Sequence, residues 1–188
     1  MIDAINFRSI EAFKNVNESN INLLKQNSKL YKYAIGHPIS ENKNIPEQVL
    51  IIISGEVRFA LSADLKSNAF RKLNKDAFIG LSSLLRVKSC ELISASTDVI
   101  SIAIPDKIIL KLYKEEKSFK DWCDSHIQIP EAYEIANNIL NKSPNNKSNI
   151  NNLVDIILDK SKIKTIENNN IFYKDSNIID IVVSGNII

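Results

Sequence analysis

The segment Val49 to Arg58, V-L-I-I-I-S-G-E-V-R, constrains the fold more than any other stretch of this chain. Its apolar run, Val49 to Ile53, leads into Ser54-Gly55, and apolar/polar alternation resumes through Val57 and Phe59. A run of this length, rich in β-branched side chains and closed by a glycine, reads as a strand buried on both faces. Gly55 marks a point where the strand bends sharply or another backbone comes close. Ile178 to Ile188, I-I-D-I-V-V-S-G-N-I-I, repeats the pattern with Ser184-Gly185 in the matching place.

The flanking residues alternate between helical and strand periods. Phe7, Ile10, Phe13 and Val16 stand at helical spacing, and Glu18 to Leu30 continues with Ile21, Leu23 and Leu24, which predicts an N-terminal helical pair. Leu30 to Ile35 alternates as a strand and ends at Gly36-His37-Pro38. After the central strand come a polar hairpin tip at Ser62 to Asn68, a short mixed strand at Phe70 to Leu73 and a tight turn at Asn74-Lys75-Asp76. Gly80 then precedes one short helical turn, Leu81 to Leu85, followed by strands at Cys90 to Ser96 and Val99 to Ile104 that stop at Pro105.

Beyond Pro105 the period becomes helical throughout. Asp106 is placed as an N-cap ahead of Ile108, Ile109, Leu112 and Tyr113; Phe119, Trp122 and Cys123 mark a second helix. Pro130-Glu131 opens a third, with Tyr133, Ile135, Ile139 and Leu140 for a packed face. Ser143 to Asn149, S-P-N-N-K-S-N, reads as a linker. The expected division is a first domain over 1–142, a linker over 143–149 and the start of a second, truncated similar unit over 150–188. Within that last part Asn151 to Lys160 reads as a helix and Lys162 to Ile166 as a strand, so the chain reads as a piece of a longer protein. The fold class that follows is α+β: an antiparallel β-roll or jelly roll flanked by N- and C-terminal helices.

Composition excludes several classes. At 188 residues, 44% apolar and 24% charged, with a net charge of +2, the chain has neither a basic face for nucleic acid nor a polybasic membrane tag. Its two cysteines, Cys90 and Cys123, have no C-x-x-C spacing, so neither a disulfide framework nor a zinc site is indicated. No apolar run reaches the ~18–20 residues of a spanning helix, which points to a cytoplasmic chain without direct membrane insertion. His37 and His126 lack a partner at ligand spacing and read as surface residues. Cys123 beside Trp122 reads as core, and Glu56 has no second carboxylate for acid/base work. No enzyme is indicated.

The order of these elements resembles the cyclic nucleotide-binding domain family. The matching residues are Gly36, Ser54-Gly55-Glu56-Val57, Asp76, Phe78, Gly80 and Ala95-Ser96-Thr97-Asp98-Val99. The resemblance spans Phe7 to Ile127. It implies a β-roll with a phosphate-binding cassette, in which backbone N–H groups and an Arg hold the cyclic phosphate and a Glu binds the ribose hydroxyl. The cassette would comprise Gly80, Leu81, Ser82, Ser83, Arg86, Lys88, Ser89 and Cys90. The implied ligand is a cyclic nucleotide such as cAMP or cGMP; no other cofactor and no metal is implied.

Here the cassette departs from the family. Leu81 stands where the ribose-binding Glu belongs, and Ser89 or a neighbour stands where the Arg belongs. Each unpaired ligand group costs ~1–3 kcal/mol, so the two losses weaken binding by a few tens to ~10⁴-fold. Arg86 and Lys88 are the cations left to substitute if the loop folds differently. The wording I-G-L-S-S-L-L-R and C-E-L-I-S-A-S-T also resembles the N-terminal regulatory segments of cyanobacterial-type toxin or bacteriocin ABC exporters. That resemblance implies the other domains of a larger membrane transporter as partners. The trailing helices Asp106 to Lys142, with Phe119 and Trp122, are the expected hinge or homodimer contact. The alternatives are a protein-interaction or assembly scaffold without a small-molecule ligand and, third, the sensor domain of a transcription regulator. The third is disfavoured because no basic helix-turn-helix follows.

Overall fold

The computed structural model of the chain describes residues 2–41, 43–60, 71–87, 89, 91–142 and 149–161. Val49 to Ile53 form most of strand β3 (Gln48–Ser54). Val49 and Ile51 point into one apolar cluster with Phe13, Ile102 and Phe119, while Leu50 and Ile52 point into another with Val57, Phe59 and Ile93. A strand covered on both sides has no polar face, hence the unbroken apolar run.

β3 is an inner strand of the first of two antiparallel sheets. Beside it lie β8 (Val99–Pro105) and the short β6 (Phe78–Ile79), and β1 (Lys29–Tyr33) adds to the far side of β8, giving the order β1-β8-β3-β6. Leu50 pairs with Ala103 and Ile51 with Ile102. The second sheet has the order β2-β7-β4-β5, from Pro38–Ser40, Leu92–Ala95, Val57–Ala60 and Arg71–Leu73 respectively. The inward residues of both sheets share one cluster, so the two sheets face each other as an antiparallel β-roll.

Gly55 joins the sheets and fulfils both parts of its expectation. Its φ is +90°, and a Cβ there would lie 2.2 Å from the Asp98 carbonyl oxygen. The chain turns at that point from β3 into β4. The adjacent Glu56 carbonyl accepts the Ser96 N–H at 2.8 Å and the Thr97 N–H at 3.2 Å, which fastens the corner to the β7–β8 turn.

Helices cover the outer face of the first sheet. They are α1 (Glu18–Asn27), α2 (Leu81–Arg86), α3 (Asp106–Glu115) and α4 (Lys117–Ser125). The helix predicted over Phe7 to Val16 is instead two 3-10 turns, Phe7–Ser9 and Glu11–Phe13, separated by Ile10 in extended conformation. Phe7, Ile10, Phe13 and Val16 are nevertheless all buried, because both arrangements return a side chain to the same face about every third residue. Asp106 is the first residue of α3 rather than its cap; Pro105 holds the cap position, and the Asp106 carboxylate accepts the Lys107 N–H at 2.6 Å.

α5 (Ile129–Lys142) and α6 (Ile150–Lys160) pack on the interior of the roll. The helix expected to open a second unit therefore contributes Val154 and Ile157 to the core of the first. An amphipathic helix after a polar linker looks the same in sequence whether it starts a new core or closes an old one. The expected hairpin tip at Ser62 to Asn68, residues 143–148 of the linker, and the segments Lys162 to Ile166 and Ile178 to Ile188 lie outside the described residues.

Candidate functional site

Gly80 opens the short helix α2 with φ +89°, and a Cβ there would meet the Pro46 side chain at 2.9 Å and the Gln48 carbonyl at 3.2 Å. Only glycine combines that backbone with that closeness. From this start Leu81 and Leu84 point into the outer cluster, at 1% and 7% exposure. The side chain of Leu81, a candidate ligand residue in the sequence, is thus packed in the core. Ser82 and Ser83 are also buried, and the Ser82 hydroxyl has no hydrogen-bond partner among the described residues. α2 ends at Val87 with φ +53°, a left-handed conformation that a β-branched residue rarely adopts.

Glu91, a residue the sequence reading did not single out, organises this loop. Its side chain is 1% exposed, and Oε2 accepts the Gly80 N–H at 2.5 Å. The Ser83 N–H and hydroxyl also bond the carboxyl and favour its ionised form, yet Oε1 lies outside hydrogen-bond geometry. Burial outweighs these donors and pushes the carboxyl up to about 7. A signal for it existed: Glu91 stands in the same alternation as Ile93 and Ala95, both buried, so its side chain is directed inward.

Arg86, a candidate phosphate cation, is engaged elsewhere. Its Nε donates to Glu131 Oε1 of α5 at 2.9 Å, and the two side chains are 17% and 7% exposed. Of the remaining candidates Ser89 is half-buried, while Lys88 and Cys90 lie outside the described residues. The structure therefore brings Gly80, Ser82, Ser83 and Arg86 into one loop, but the donors of Gly80 and Ser83 face Glu91 and that of Arg86 faces Glu131.

Side chains of α5 and α6 enter the cluster between the sheets. Tyr133 of α5 is fully buried with its ring 5.1 Å from that of Phe59, and Ala132, Ala136, Val154 and Ile157 complete the contact. The Tyr133 hydroxyl donates to Asn151 of α6, and Arg71 of β5 pairs with Asp155 at 2.8 Å. An open groove of about 470 Å³ lies outside this interior, lined by Ile35, Gly36, Glu56, Arg58, Lys72 and Ser96. Lys72 there pairs with Glu56 at 2.8 Å, and Arg58 Nε donates to the Ser94 hydroxyl at 2.9 Å.

The other titratable candidates behave as core or surface. Burial pushes the Cys123 thiol up to about 12, so it is no nucleophile. His37 lies against the Tyr33 ring and His126 stacks on Trp122. Phe119, expected at a hinge or dimer contact, is wholly inside the outer cluster. Among the described residues no group of three His, Cys, Asp or Glu could hold a metal ion, and no helix is long and apolar enough to cross a membrane.

No protein-family model and no curated protein matches the chain. Solved structures match it in fold. The sensor domain of the transcriptional regulator DNR from Pseudomonas aeruginosa superposes with a TM-score of 0.55 at 10% identity, over 75% of this chain and 91% of that one. PKAR CBD2 bound to Sp-2Cl-cAMPS gives 0.52 at 16% identity, over 76% and 90%. cAMP-bound PfPKA-R gives 0.55 at 16% identity, over 76% and 46%. This chain has the cyclic nucleotide-binding β-roll fold.

Proposed function

We propose that the chain is a regulatory domain, not an enzyme, in which the protein's own side chains take the place of a cyclic nucleotide. One observation carries this reading: α5 and α6 close the interior of the roll, with Tyr133 packed on Phe59. The cassette supports it. Leu81 offers no acceptor for a ribose hydroxyl, and Arg86 is committed to Glu131. A phosphate entering at Gly80 would also meet the Glu91 carboxyl already on that N–H. Related folds are solved with cAMP or an analogue bound; here nucleotide binding would require displacement of both α5 and Glu91.

In this reading the domain works in the cytoplasm as part of a larger ABC-type exporter, with the other domains of that transporter as partners and a second copy contacting the trailing helices. The support for that context is the cassette wording around Gly80 and Cys90. Calorimetric titration of the chain with cAMP, cGMP and cyclic dinucleotides tests the pocket directly. No heat and no thermal stabilisation at millimolar ligand is the expected result; a micromolar Kd would overturn the reading. The exporter context is tested by the coding sequence after the Ile188 codon. A membrane domain and a G-x-x-x-x-G-K-[ST] phosphate loop are expected there, and a stop codon would remove that part of the proposal.

A further inference from the structure

We propose that the input this domain reads is a proton, held by Glu91, with α2 as the element that moves on its release. This rests on the reading that the chain is a regulatory domain whose pocket takes no nucleotide, and it names what regulates that same site.

The geometry carries the proposal. A carboxyl that is 1% exposed, with one oxygen on the Gly80 N–H and the other outside hydrogen-bond geometry, is poorly placed to hold a charge. Among the described residues no ion pair reaches this carboxyl. Arg86, the cation on α2, has its guanidinium on Glu131 of α5. From β2, Ser40 reaches only the Glu91 backbone carbonyl, at 3.3 Å. Among the described residues what bonds the carboxyl is neutral: the Gly80 N–H with the Ser83 N–H and hydroxyl. Lys88 and Cys90 are outside the described residues.

Left-handed residues bound α2 at both ends, Gly80 at φ +89° and Val87 at φ +53°, and the second is a strained position 74% exposed to solvent. Arg86 then ties α2 to α5, the helix that covers the interior. With the proton bound, Glu91 is neutral and α2 stays closed on it. With the proton lost, the ionised carboxylate turns toward water and frees the Gly80 N–H; α2 pivots about its two ends and draws Arg86 off Glu131.

Titration falls in the neutral range because burial pushes the Glu91 carboxyl up to about 7, from 4.5 for a free side chain. The sign follows from linkage. A carboxyl raised in the folded state binds more protons folded than unfolded between those values, so its contribution to stability is full below about 4.5 and is lost as pH rises through about 7.

The test uses the whole 188-residue chain. In a ¹³C NMR titration of the Glu carboxyl carbons, the signal missing from Glu91→Gln is expected to titrate at or above about pH 6; a midpoint below that overturns the proposal. Amide exchange adds the conformational readout. After correction for intrinsic rates, protection over 80–87 and 129–136 is expected to fall about tenfold or more between pH 6 and pH 8 in the wild type and to stay level in Glu91→Gln. Parallel loss in both proteins, or no loss in either, overturns it. If Glu91→Gln does not fold, Glu131→Gln identifies the signal of the other buried carboxyl, and the midpoint of the remaining one in the wild type decides. The two readings fail separately: nucleotide binding sinks the closed pocket whatever Glu91 does, and a low midpoint sinks the proton input while the pocket stays closed.

Discussion

The two apolar clusters on either side of β3 are built differently. The outer one is held by rings: Phe13 stands 5.4 Å from Phe119 and 6.0 Å from both Phe7 and Phe78, and Trp122 lies 5.2 Å from Phe78. The inner one has comparable apolar content, but polar ties run from the roll to α5 and α6, Arg86 to Glu131 and Arg71 to Asp155, while Tyr133 to Asn151 joins the two helices to each other. Dispersion and burial have no direction and no switch, whereas a hydrogen bond or ion pair can be exchanged for water at small net cost. The difference predicts that the outer cluster behaves as permanent core and that α5 and α6 lift first, as a cover.

Substitutions that separate core from cover should sort by size. Phe13→Ala is expected to have the largest effect, about 3–5 kcal/mol, lost cooperatively across the whole molecule in urea denaturation. Tyr133→Ala should come next, at about 2–4 kcal/mol, with a different character. Proteolysis should cut first within 129–161 while the near-ultraviolet signal of Trp122 persists. Simultaneous loss of both would mean that cover and core are one cooperative unit. Arg86→Met should cost about 1–3 kcal/mol, since it leaves Glu131 buried without its partner. Glu131→Gln with Arg86→Met should then cost less than the sum of the two single changes, read from the same urea curves.

Much of this contrast was legible in the sequence, for reasons that particular residues make plain. The run Val49 to Ile53 requires layers on both sides, and Gly55 requires a corner; both demands are local and both are met. The spacing of Phe7, Ile10 and Phe13 identified buried residues even though the backbone type differed, because burial depends on which face a side chain returns to. The cassette loop was legible in outline from Gly80 to Arg86. What it does was not. Leu81 turning inward, Arg86 reaching Glu131 forty-five residues away and Glu91 closing on Gly80 depend on how α2 sits between the clusters, and neighbouring residues do not encode that. The role of α6 was hidden for the same reason: its stripe of Val154 and Ile157 fits any apolar surface, and only the packed roll shows which one it covers.

The smallest expected effects give the sharpest comparison, since they come from surface ion pairs that look alike. Lys117–Asp121 lies along α4 on the outer side, at 2.5 Å, with side chains 86% and 58% exposed. Arg71–Asp155 joins β5 to α6 at 2.8 Å, with side chains 33% and 61% exposed. Solvent screening limits each to roughly 0–1 kcal/mol of global stability, so neither Lys117→Ala nor Asp155→Asn should shift the urea midpoint by much. They differ in what they bridge. The first links two residues of one helix that the Phe119 packing holds in place regardless, so amide exchange in α4 should be unchanged in Lys117→Ala. The second spans the seam between roll and cover. If the cover opens by itself, a loss of even about 0.7 kcal/mol there raises its open population about threefold, and exchange in α6 of Asp155→Asn should quicken by that factor while β3 and β8 stay protected. Unchanged exchange in α6 would mean that the cover opens only with the whole molecule, and the distinction between the two sides of β3 would then be one of composition alone.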